Sequence, residues 1–214
     1  MLKASAPKDP RVLSYLALRK AVGGIALALP FAMAIPWTLL HHTVQTSISA
    51  YYYTGLRNLF VGFLCAIGMF MFCTRGYDNA DEIAGIFSAV CAIGVALFPT
   101  SPAKCASHRQ SVVGDIHYVF AAALFLTLAF FCLVLFKMSA HNHTVTARKI
   151  QRNRVYTICG IIILGSLALL PAFEFLFHVS YVFPLIAPGI LFETTSLLAF
   201  GIAWLVKGEA ILKD

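Results

Sequence analysis

Of the 214 residues, 60% are hydrophobic and only 12% charged, and mean hydropathy is +0.83. Soluble domains carry about 25% charged residues, so the composition excludes a water-soluble globular fold and predicts an all-α polytopic integral membrane bundle. Six spans of about 20 residues each nearly use up the chain, so 1–214 reads as a single transmembrane domain with no room for a separate soluble catalytic domain.

The basic segment MLKASAPKDPRVLSYLALRK leads into an apolar run too long, and too poorly furnished with a cleavage site, for a secretory signal. It therefore reads as a retained first helix. The spans are expected at about 18–40, 55–73, 83–99, 113–136, 155–175 and 184–206. In the third, Ala80, Ala84, Ser88, Ala92 and Ala96 recur every four residues, a stripe that lets a neighbouring helix approach closely. Asn79 or Asp81 is the expected N-cap of that helix, with Glu82 in its first turn.

Lys and Arg in short loops set orientation. With the N-terminus inside, thirteen of the sixteen fall on the cytoplasmic side, and only Arg57, Lys104 and Arg109 lie outside. Both termini are then cytoplasmic, in a cell membrane of bacterial inner-membrane type. The charge of +7 follows from this topology and from attraction to anionic lipids, with no nucleic-acid partner required. Cys65, Cys73, Cys91, Cys132 and Cys159 fall within or at the ends of spans, where cysteine acts as a small apolar residue. Cys105 alone sits in an outer loop, and the absence of any CxxC pair argues against a cysteine metal site.

This orientation gathers His41, His42, Arg57, Asp115, His117, Glu174, His178 and Glu193 at the outer rim. Charges inside membrane spans are costly and point to function. Arg57 and Asn58 open an otherwise apolar span, so the guanidinium should find a carboxylate: Asp115, Glu174 or Glu193. Glu193 is the deepest charge if its helix starts near Phe183, and shallower if Pro188 or Gly189 is the true first turn. Tyr51 to Tyr53 read first as an aromatic belt. Arg57, Asn58, Glu174 and Glu193 form the expected ligand-binding set, an outward polar pocket for a lipid headgroup or small ligand.

An intramembrane hydrolase is the alternative. Glu174 and His178 stand at i and i+4 on one helical face, suited to general acid/base work together with Asp115 or His117. His41, His117, His178 and Asp115 contain the donor types that zinc takes. Asp115 and His117, however, project about 200° apart around a helix and do not face one point. An ion or proton pathway ranks third, because the inner half of the spans reads as uniformly apolar.

SIS before the second span, LFPTSP closing the third, a histidine heading the fourth and a basic loop before the fifth together resemble a bacterial six-helix membrane family catalogued as a domain of unknown function. The layout is also distantly similar to eukaryotic Frag-type membrane proteins. That resemblance implies the fold and an involvement with lipid, and carries over no catalytic residue. Ser47, Asp115 and His117 have the residue types of seven-helix zinc hydrolases of membranes, but the six spans and the missing HxxxH pair in the last helix depart from that pattern. Expected partners are membrane lipids and a second copy of the chain or a larger membrane complex.

Overall fold

The structure, a computed structural model, describes residues 15–74, 79–102, 107–138, 146–173 and 187–213. Among the described residues, six α-helices make up the bundle: α1 (Tyr15–His41), α2 (Arg57–Cys73), α3 (Asn79–Leu97), α4 (His108–Leu133), α5 (Ala147–Pro171) and α6 (Pro188–Lys207). Short 3-10 turns at Ser49–Tyr53 and Leu135–Lys137 precede α2 and follow α4. Five helices are long and apolar enough to cross a membrane, and α2, at 17 residues, is shorter. Each helix packs on the next and α6 returns to α1, so the six close into a ring. One end of the ring carries the α1–α2 connection and the start of α6. The other carries the start of α1 and the end of α6.

Local signals explain the boundaries. Ser107 and Gln110 form a reciprocal capping box that starts α4. Thr146 accepts the Lys149 N–H and starts α5 at Ala147, eight residues before the apolar run at Val155. The basic stretch RKIQRNR, expected in a loop, is therefore helical. Pro188 takes the first position of α6, where its missing N–H costs nothing, which places Glu193 in the second turn. Pro184 and the candidate residues Glu174 and His178 lie outside the described residues, as do Lys104 and Cys105.

Small residues set the helix contacts. Ala84, Ser88, Ala92 and Ala96 of the α3 stripe are buried, while Ala80 is exposed at its end. A Cβ added to Gly68 of α2 would come 3.1 Å from the Ala89 carbonyl and 3.6 Å from the Ala92 Cβ, so the stripe packs inside the bundle. Gly23 and Gly201 mark the α1–α6 crossing: a Cβ on either would sit 2.9–3.0 Å from the other's carbonyl oxygen. Gly201→Val forces this crossing apart and should lower stability by about 1–3 kcal/mol. Thermal unfolding in detergent checks it, and an unchanged midpoint would mean that the crossing is not close-packed.

Candidate functional site

At the Glu193 end, the start of α6 holds the α1–α2 connection. The Ile190 N–H donates to the Thr46 carbonyl at 2.7 Å, and a side chain on Gly189 would meet that same oxygen at 2.6 Å. Glu193, half-buried, accepts the N–H groups of Ile48 (2.8 Å) and Ser49 (3.2 Å) at one carboxylate oxygen, Oε2. Ser47 Oγ accepts the Ala50 N–H at 2.9 Å. These three N–H groups are the unsatisfied donors at the start of the 3-10 turn, so Glu193 caps it from a distant helix. The carboxylate, shallow because α6 starts at Pro188, is a latch on backbone donors.

The turn then distributes its tyrosines. Successive residues of a 3-10 helix lie about 120° apart, so the three rings point three ways. Tyr51 is fully buried against the edge of Trp37, and burial pushes its phenol above its ordinary pKa. Tyr52 accepts from Arg57 Nη2 at 2.6 Å, and the guanidinium carbon lies 4.4 Å from its ring centre. Tyr53 donates to the Thr100 carbonyl at 2.6 Å. The expected aromatic belt is thus a core anchor, a cation partner and a strut to the α3–α4 connection. Arg57 takes a phenol where a carboxylate was expected, and it and Asn58 are exposed.

His117 is buried, and its Nδ1 donates to the Phe98 carbonyl at 2.7 Å. Asp115 is exposed on another side of α4, as helical phase requires. His41 is exposed and packs on Trp37 with ring centres 3.9 Å apart, and His42 is exposed with φ of 53°. Among the described residues, no three His, Cys, Asp or Glu side chains gather where a metal ion could be held. His178, the remaining member of the expected metal set, falls outside those residues.

The opposite end brings together four cations from three separate segments of the sequence, Arg19, Lys149 with Arg152, and Lys207. Lys207 and Arg152 are only 8% and 7% exposed. Lys207 Nζ donates to the Phe136 carbonyl at 3.1 Å, and Lys149 Nζ reaches the Phe136 and Met138 carbonyls at 3.4 and 3.3 Å. These oxygens lie just beyond the C-terminus of α4, where the helix dipole favours positive charge. Arg19 packs over Tyr15, donates to its hydroxyl at 2.9 Å and reaches the Lys207 carbonyl at 3.5 Å. Arg19, Lys149 and Arg152 all lie within electrostatic reach of Lys207, as does Asp81 from the first turn of α3. The half of the bundle at this end, expected to be uniformly apolar, is therefore not so.

Beside this cluster is a cavity large enough for about one water molecule, walled by Arg19, Asp81, Thr74 and Trp204 among others. Among the described residues, no hydrogen-bond partner meets the buried Trp204 indole N–H. Phe131, Phe136 and Phe200 surround the Trp204 ring at centroid distances of 5.2, 4.8 and 5.0 Å, fixing it as the floor of the basic cluster.

No family is assigned. No family model matches the chain, and no curated protein or solved structure matches it. The site's chemistry therefore stands on its geometry. Burial of like charges is unfavourable without compensation, and here carbonyl oxygens, phenols and Asp81 supply part of it. A phosphate carries negative charge and the acceptor oxygens that guanidinium and ammonium groups bind well.

Proposed function

We propose that the chain is a six-span integral membrane protein of a bacterial inner membrane, both termini cytoplasmic, that binds an anionic lipid through the phosphate of its headgroup. The site is the Lys207 end, which this topology puts at the cytoplasmic leaflet. One observation carries the reading: Arg19, Lys149, Arg152 and Lys207 converge at one end of an apolar bundle, two of them less than a tenth exposed. Asp81 lies within electrostatic reach of Lys207 there. Each basic side chain near an anionic surface contributes about 1 kcal/mol of attraction. The six-span layout of the family that the chain resembles fits the same role, accessory to lipid.

Thermal unfolding in bicelles tests it. Anionic phospholipid should raise the unfolding midpoint over zwitterionic lipid alone, because a ligand that binds only the folded state stabilises it. Lys207→Gln and Arg152→Gln should each remove most of that increment. Equal increments in the parent and both variants would leave only nonspecific attraction to the bilayer surface.

Arg57 supports a second reading at the other rim. Its guanidinium is exposed at the N-terminus of α2, held on Tyr52, beside the exposed Asn58. That arrangement suits an outer-leaflet headgroup or a small anion, with Glu174 and Glu193 as the expected further members of the pocket. Loss of a co-purifying lipid in Arg57→Gln, with Lys207→Gln unaffected, would favour this rim over the basic end.

A further inference from the structure

An apolar groove of about 370 Å³ runs along the outside of the bundle between α5 and α6. Val155, Ile158 and Ile162 form one wall, and Ala199 and Ile202 the other. Ile158 is 57% exposed and Ile202 40%, while Ala199 between them is buried, so two large side chains overhang a small one. Thr195, also in the lining, donates its hydroxyl to the Leu191 carbonyl at 2.7 Å and asks nothing of an occupant.

Size and charge select the occupant. The groove spans Val155 to Ile162, seven residues or about 10 Å, which is two-thirds of the ~15 Å hydrocarbon depth of one leaflet. A helix 10–12 Å across would occupy roughly 800–1,100 Å³ over that length, more than twice what the groove holds. A single hydrocarbon chain is slender enough to fit. Toward the Lys207 end, Arg148 lies seven residues before Val155, within about 20° of the same helical face. Its Nη1 donates to Gln151 Oε1 at 3.2 Å, and Arg152 of the basic cluster follows in the next turn. The exposed Arg148 guanidinium therefore continues the groove's helical face toward the Lys207 end, as a phosphate follows a phospholipid's chain, and Arg152 one turn on is buried in the basic cluster.

We propose that the α5–α6 groove seats one acyl chain of an anionic phospholipid whose phosphate lies at Arg148 and Arg152. This rests on the lipid reading of the basic end and adds to it the tail site and the kind of molecule. It makes α5 the recognition helix, basic at its first two turns and grooved thereafter.

Tryptophan reporters in vesicles test the proposal. Ile158→Trp places an indole on the groove wall, and Leu126→Trp places one on the exposed face of α4, where Leu126 is 51% exposed. Phospholipids brominated on the acyl chain quench an indole that they touch, and the signal is read as the difference from the unsubstituted protein. At Ile158→Trp, anionic brominated lipid should compete about fivefold better than zwitterionic lipid, and adding Arg148→Gln should bring the two close to parity. At Leu126→Trp the two lipids should quench alike. Equal quenching at Ile158→Trp, or the same anionic preference at Leu126→Trp, overturns the groove assignment. The bicelle increment lost in Lys207→Gln separates the two failures: if it persists while the groove reporter shows no preference, the headgroup site stands and the tail site falls. If neither appears, both fall.

Discussion

Glu193→Ala is expected to lower the unfolding free energy by about 2–3 kcal/mol, because it removes the acceptor of two backbone N–H groups and leaves both unsatisfied in a half-buried position. Glu193→Gln keeps an oxygen that accepts without the charge and should lose about half as much. The 3-10 turn would then loosen, and Tyr51, anchored at its centre, would gain solvent. Hydrogen exchange at Ile48 and Ser49 should speed up in both variants while the cores of α3 and α4 stay protected. The pairing expected from sequence gives a different result. If Arg57 were the partner of Glu193, Arg57→Ala would destabilise comparably and the double variant would show coupling. With Arg57 exposed on Tyr52, its removal should change stability by no more than about 0.5 kcal/mol and add independently.

Sequence placed the helices because hydropathy is a property of each segment alone. It missed the start of α5, since RKIQRNR fails every apolar window while its helicity rests on the Thr146 cap and on packing. Helical phase separated Asp115 from His117, an angle that local geometry determines. The hold of Glu193 on the Ile48 and Ser49 N–H groups was beyond reach of the same reasoning, because main-chain donors are present at every position and invisible as residue types. Likewise Tyr51 turned inward because the turn before α2 is a 3-10 helix, and consecutive aromatic residues carry no mark of which one will face the core. The basic cluster was hidden for another reason. Positive-inside counting assigned Arg19, Lys149, Arg152 and Lys207 one by one to cytoplasmic segments, where each is ordinary. Only the closed ring, with α6 returning to α1 and lying against α5, puts Lys149 and Lys207 on the Phe136 carbonyl with Arg19 and Arg152 in electrostatic reach of Lys207. The nearest signal in the sequence was a lysine ending an apolar helix whose Phe200 and Trp204, one turn apart, face inward with it.

Asp81→Asn should then have its largest effect where no anionic lipid is present. Asp81 attracts Lys207 and lines the small cavity with Arg19, so losing its charge leaves the four cations with less compensation. Breaking a fully buried pair costs about 3–5 kcal/mol. Asp81 is half-exposed, and water screens it, so about 1–3 kcal/mol is expected in zwitterionic bicelles, read as a fall in the unfolding midpoint. Two additions should reverse the fall through the same electrostatics. Anionic phospholipid restores negative charge at the cluster. Lys207→Met removes one of the repelling cations while keeping an apolar stem of similar length against Phe136, whose carbonyl retains the Lys149 ammonium. In the Asp81→Asn background, Lys207→Met should therefore stabilise, and the anionic-lipid increment should shrink. If the two substitutions simply add as losses, the charges are not coupled and the cluster is four separate surface cations. If they offset each other but anionic lipid has no effect on Asp81→Asn alone, the cluster is a unit of stability that takes no phosphate.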